Sequence, residues 1–99
     1  MNYIADIKSY IALEQEILSK LDIDAINEAL NLLDETRLKK GRIYICGNGG
    51  SAATASHFQN DFNKGVSEYI EVPFRFTCLN DNVATIMAIA NDIGYEEVF

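Results

Sequence analysis

The chain has 99 residues, 48% of them hydrophobic and 23% charged, which is the balance of an ordinary globular protein and the length of one small domain. Its formal net charge of −7 argues against a nucleic-acid backbone or an anionic membrane as partner, because both need a basic face. Two cysteines, Cys46 and Cys78, stand far apart and outside any CxxC pattern, so they form no disulfide framework.

The N-terminal stretch MNYIADIKSYIALEQEIL scatters its charges and holds no continuous apolar segment, so it reads as neither a secretory signal nor a membrane span. A cytoplasmic location is the plain expectation. Ile4, Ile7, Ile11, Leu18 and Leu21 recur at helical spacing and predict an amphipathic helix. Asp22 and Asp24 interrupt it, and Asp24 is the expected N-cap of a second helix that turns Ile26, Leu30, Leu33 and Leu38 inward. That helix should end at Lys39-Lys40-Gly41, with cations by its C-terminus and glycine at C′. So short a turn predicts an antiparallel pair. The apolar faces are wide for one hairpin. They fit either the body of the same domain or a helical bundle between subunits.

Arg42-Ile43-Tyr44-Ile45-Cys46 is short, β-branched and aromatic, and reads as a buried parallel strand. Residues 51–63 look helical, with Ala55, Phe58 and Phe62 on one face, and residues 64–73 look like loop. Phe74 to Leu79 reads as a second strand, Asn82 to Asn91 as a buried helix, and YEEVF after Gly94 as the start of a last short helix. Cys46 and Cys78 each close an apolar run, so buried reduced thiols are expected, with a reactive or metal-binding thiol as the other reading. The order α-α-β-α-β-α gives a βαβ unit with a right-handed crossover, the core of a doubly wound α/β sheet. Two parallel strands alone cannot cover both faces or protect their edges, and the chain stops at Glu96-Glu97-Val98-Phe99 within an amphipathic pattern. The expectation is half of a domain.

The chemistry concentrates in GNGGSAATASHFQND, Gly47 to Asp61. In open α/β sheets ligands bind outside the carboxyl ends of the strands, where Gly47-Asn48-Gly49-Gly50 falls. Glycines there allow positive φ and a close ligand approach, and Ser51 is placed to cap the next helix, whose free N–H groups attract anions or polar oxygens. This points to a polar small molecule, phosphorylated or rich in hydroxyls. The pattern is neither GxGxxG nor a P-loop, and a tight strand-to-helix turn without a ligand is the plainer alternative. His57 and Asp61 lie four apart and share a helix face, so they can ligate a divalent metal or act as acid–base groups, or form only a solvated surface pair. Asn91-Asp92-Ile93-Gly94-Tyr95 is the second candidate: its Asn-Asp pair is either an ordinary helix exit or a hydroxyl-binding pair at the edge of the same site. Asn80-Asp81-Asn82 reads as a turn with an N-cap rather than a ligand contact.

GNGGSAATASHF followed by a carboxylate, and later AIANDIGYEEVF, resemble the sedoheptulose 7-phosphate (phosphoheptose) isomerases of the sugar isomerase, or SIS, superfamily. The leading helix pair fits them too, and the resemblance covers essentially the whole chain. It implies a parallel-sheet αβα sandwich of flavodoxin-like, Rossmann type. Residues 1–40 would be a helical hairpin that builds a homotetramer, and residues 41–99 the first part of the sugar-phosphate domain. The implied reaction converts the ketose phosphate to D-glycero-D-manno-heptose 7-phosphate, for lipopolysaccharide or surface polysaccharide. Asn48, Gly49 and Gly50, with Ser51, match the substrate-contacting loop, and Asn91 and Asp92 match a second contacting pair. His57 matches a zinc ligand. Asp61 matches a position where the family often has a glutamate that binds zinc and serves as the base.

Two departures accompany the match. Asp61 is one methylene shorter than that glutamate, and a displacement near 1 Å can cost on the order of 10²-fold in rate. Family members also continue well past Phe99, into a serine- and threonine-rich phosphate loop, a glutamine and a second histidine. The glycine loop would therefore touch the sugar more than the phosphate, and the 99 residues alone are expected to be inactive. The implied mechanism moves a proton between adjacent carbons through an enediol, with a carboxylate as base and the missing histidine as acid. The competing reading is a non-catalytic binding protein of the same superfamily, either a tetramer that associates with the replication initiator or a sensor of sugar phosphates. Retention of His57 and Asp61 favours the enzyme. A third reading is assembly alone, through the helix pair and an exposed strand edge.

Overall fold

Isoleucines and leucines at three- and four-residue spacing produce the first helix, α1, over Ile4–Ser19. A second helix, α2, follows over Ile23–Leu38. The computed structural model describes residues 1–99, and the chain divides into two units, Met1–Asn31 and Leu32–Phe99. The N-cap of α2 is Asp22 rather than the expected Asp24: Asp22 Oδ1 accepts from the Ala25 N–H at 2.9 Å, which leaves Asp24 in the first turn. Every residue of the first unit is exposed, including Ile4, Ile7, Ile11, Leu18, Leu21, Ile26 and Leu30. The expected antiparallel packing is therefore not formed within that unit. Its apolar side chains have no second surface there to close on.

The second unit starts from the last turns of α2. This helix ends in a Schellman motif, with Gly41 N–H donating to Thr36 O at 2.8 Å and Lys40 N–H to Arg37 O at 2.8 Å. Lys40 takes the left-handed C′ position, with φ 58°, and Gly41 lies one residue further on than the sequence suggested.

Strand β1, Ile43–Ile45, and strand β2, Phe76–Cys78, pair in parallel with Ile43 opposite Phe76 and Ile45 opposite Cys78. Helix α3, Gly50–Asn60, makes the crossover between them, and α4, Val83–Asp92, follows β2. This is the expected α/β order. The segment expected to be loop after residue 63 is partly helical: a π-helical turn continues α3 over Asp61–Val66, and a 3-10 turn spans Ser67–Tyr69. Ser67 holds this ending together. Its Oγ donates to Phe62 O at 2.6 Å and accepts from the Phe74 N–H at 2.9 Å.

The core is small. Ala55 of α3 and Phe76 and Cys78 of β2 are its only buried apolar residues. Phe62 is the hub beside them, stacked on Phe76 at 4.5 Å between ring centroids and edge-on to Phe74 at 4.9 Å. Arg37 covers the Phe74 ring at 5.5 Å and donates to Val72 O at 2.8 Å, while Asp34 pairs its guanidinium at 2.6 Å. Two expectations of burial fail. β1 leaves Tyr44 exposed, as is Cys46 just beyond it, and α4 has no buried residue, with Val83 and Met87 on its open side. A two-stranded sheet has too little area to cover them.

Candidate functional site

The glycine turn leaves the carboxyl end of β1, as the motif requires. A Cβ on Gly47 would lie 2.3 Å from Ser51 O, so the backbone passes too close there for any side chain. Gly49 takes φ 57°, a left-handed conformation that favours glycine, and stands at the N-cap of α3. The helix thus begins at Gly50, and Ser51 is its second residue. Ser51 does not cap α3, which corrects the sequence reading: its N–H donates to Asn48 O at 3.0 Å, and no side-chain cap bond is made.

Asn80 fastens the turn from the next strand. Its Oδ1 accepts from the Gly47 N–H at 2.9 Å, and its Nδ2 donates to Ala52 O at 3.1 Å. Asn82 caps α4 by accepting from the Thr85 N–H at 2.9 Å. Asp81 accepts from Ser56 Oγ at 3.1 Å and from Gln59 Nε2 at 3.3 Å. Asn82 is thus the expected N-cap, whereas Asn80 and Asp81 spend their side chains on long-range bonds to the glycine turn and α3.

His57 and Asp61 face outward from α3, with Nδ1 and Oδ2 2.8 Å apart and side chains 72% and 54% exposed. Together with Ala53, Thr54 and Phe58 they line an open hollow. A neutral imidazole that donates from Nδ1 to Asp61 keeps its Nε2 lone pair free for a ligand. The second pair lies at the end of α4, where Asn91 Nδ2 donates to Asp92 Oδ1 at 2.8 Å. The structure draws this region to the glycine turn through Tyr95, the last residue of the second candidate stretch, which had no role of its own in the sequence reading: Asn48 Nδ2 donates to the Tyr95 hydroxyl. Glycine turn and α4 exit are thereby joined, whereas no hydrogen bond links either of them to the His57–Asp61 pair.

Zinc needs three or four N, O or S donors. His57 and Asp61 are two, and no group of three or more His, Cys, Asp or Glu stands together in the chain. The 99 residues therefore do not make a zinc site by themselves. The thiols add nothing to it: Cys46 is exposed and unpaired, and Cys78 is buried. Burial pushes the Cys78 thiol up from its ordinary range; the Asn80 backbone acts against this, and the nearby Asp81 carboxylate adds to it.

The model of the SIS domain matches residues 3–99. A phosphoheptose isomerase of Helicobacter pylori is 37% identical over 94 residues, covering 93% of this chain and 48% of that protein. A phosphoheptose isomerase of Coxiella burnetii is 40% identical over 81 residues, covering 81% of this chain and 40% of that protein. The lincomycin biosynthesis protein LmbN of Streptomyces lincolnensis is 33% identical over 96 residues, covering 97% of this chain and 35% of that protein. The chain thus spans about half the length, or less, of the curated relatives it matches.

Proposed function

We propose, from the premise that this chain belongs to the SIS domain family, that it forms the sugar-binding part of a phosphosugar isomerase. The substrate in this reading is sedoheptulose 7-phosphate, and the product is D-glycero-D-manno-heptose 7-phosphate for lipopolysaccharide or surface polysaccharide. The observation that carries the reading is the exposed His57–Asp61 pair on the helix that leaves the glycine turn. The pair faces an open hollow on the segment that leaves the glycine turn, where both side chains are free to meet a ligand. Similarity to phosphoheptose isomerases supports the substrate class.

Asp61 takes the proton from one carbon while an acid from outside these 99 residues protonates the carbonyl oxygen, and the protonated Asp61 then returns its proton to the neighbouring carbon of the resulting enediol. Asn48, Gly49, Gly50 and Ser51 bind the sugar at the end of β1, and Asn91 and Asp92 bind it from the end of α4. In this reading the hydrogen bond between His57 and Asp61 opens and the two would contribute donors to one zinc, with the remaining donors from outside these 99 residues. Zinc, when bound, polarises a carbonyl oxygen. The exposed apolar residues of α1 support a homo-oligomer, a tetramer by resemblance, built through the first unit. No helix is long and apolar enough to cross a membrane. A cytoplasmic location is part of the same proposal.

The catalytic machinery is shared with residues beyond this stretch, so the 99 residues alone do not turn over the sugar. The test is an isomerase assay with sedoheptulose 7-phosphate on the product of the natural gene, after its intact mass is measured, and on the 99-residue chain. Turnover by the former only is the expected result. A gene product of 11.1 kDa, or one that binds the sugar phosphate without converting it, would replace the enzyme with a binding protein.

A further inference from the structure

Gln59 and Asn63 stand four residues apart, on α3 and its π-helical continuation, and both side chains reach the backbone of β2. Asn63 Oδ1 accepts from the Phe76 N–H at 2.7 Å, and its Nδ2 donates to Phe76 O at 2.9 Å. Gln59 Oε1 accepts from the Cys78 N–H at 2.6 Å, and its Nε2 donates to Asp81. Successive N–H groups of a strand point to alternate edges. Leu79 N–H donates to Ile45 O, on the β1 side, so the N–H groups of Phe76 and Cys78 point the other way. The two amides therefore occupy the outer edge of β2, where a further strand would pair. The spacings agree: four helical residues rise about 6 Å and two strand residues about 6.6 Å.

His57 and Asp61 are also four apart, each two residues from a member of this clamp. Two residues turn a helix by about 200°. Along the segment His57, Gln59, Asp61 and Asn63 therefore alternate between the open side and the strand. Asn63 makes both of its bonds to a single strand residue, which fixes the helix along its axis as well as around it. We infer that Gln59 and Asn63 are positioning residues, whose grip on the edge of β2 sets the direction in which His57 and Asp61 face. The inference rests on the reading of His57 and Asp61 as the working pair.

The test uses Gln59→Leu/Asn63→Leu in the product of the natural gene, with three readouts. Amide hydrogen exchange at Phe76 and Cys78 should accelerate by about tenfold, with the Thr77 amide unchanged, because each loses one hydrogen bond. The His57 ring resonances, assigned by their loss in His57→Gln, should shift. The kcat for sedoheptulose 7-phosphate should fall by about 10²-fold while KM stays within about threefold, the signature of a misplaced reacting group rather than lost binding. Accelerated exchange with unchanged His57 resonances would overturn the proposal and leave the amides as closure of the sheet edge only. If the wild-type protein does not convert the sugar but the variant still shifts the His57 resonances, the positioning stands and the isomerase reading falls. Should the double variant not fold, the single variants Gln59→Leu and Asn63→Leu carry the same readouts, and the one that frees its amide without moving His57 would overturn the claim for that residue.

Discussion

His57 Nδ1 lies 2.8 Å from Asp61 Oδ2 across one turn of α3, in a hollow open to solvent. Exposed pairs of this kind contribute about 0.2–1 kcal/mol. His57→Ala should therefore leave the urea midpoint almost unmoved. Asp61→Asn keeps the shape and removes the carboxylate that the proposed function makes the base, so on that proposal kcat for sedoheptulose 7-phosphate in the natural gene product should fall by about 10²–10⁴-fold. Equal activity in wild type and Asp61→Asn would remove Asp61 from the chemistry.

The glycine turn should tolerate substitution very unevenly. Gly49→Ala meets open space but must hold φ 57° with ψ −123°, a conformation nearly confined to glycine, at a cost of about 1–3 kcal/mol. Gly47→Ala places a methyl group 2.3 Å from Ser51 O, so the turn has to rearrange and the loss should be larger. Gly50→Ala has neither problem and should be nearly neutral in stability. Denaturation curves of the three variants give the order.

Phe62 touches three other aromatic rings and joins α3 to β2. Phe62→Ala should destabilise the second unit by about 3 kcal/mol, the lower end for such a truncation because the ring is only half-buried. Phe62→Leu should recover part of this. A loss no greater than that of an exposed Phe99→Ala would show that the cluster contributes little.

The raised Cys78 thiol gives stability a pH dependence of definite sign. A group that holds its proton more tightly when folded contributes fully below its unfolded pKa, and that contribution is lost as pH rises through the folded value. Stability should therefore fall above about pH 8.5, where the unfolded thiol ionises. Cys78→Ala should lower stability at neutral pH but flatten this alkaline decline. A parallel decline in both proteins would assign it elsewhere.

The helices, the two strands and the glycine turn were legible in the sequence because each is written in local terms: apolar spacing, β-branched runs, glycines before small residues. The outward-facing His57–Asp61 pair was legible for the same reason, since four-residue spacing alone puts them on one face. The failures have a common cause. Tyr44, Cys46, Val83 and Met87 look like core residues, yet burial depends on what lies opposite, and no local pattern records that. Asp22 took the cap from Asp24, and Lys40 the left-handed position from Gly41, through shifts of one or two residues that propensity does not resolve. The bond of Tyr95 to Asn48 and the roles of Gln59 and Asn63 were not legible because their partners lie far away in the chain.

The two rims of the sheet are unlike. Along β2 the amides of Gln59 and Asn63 already hold the backbone groups that a neighbouring strand would need. Along β1 the sheet ends at Tyr44 and its flanking residues, with β2 on the other side only. Any strand that joins this sheet, from whatever source, can therefore add next to β1 without displacing a bond, and next to β2 only by prising the helix away. The sheet has one growing side, and α3 decides which.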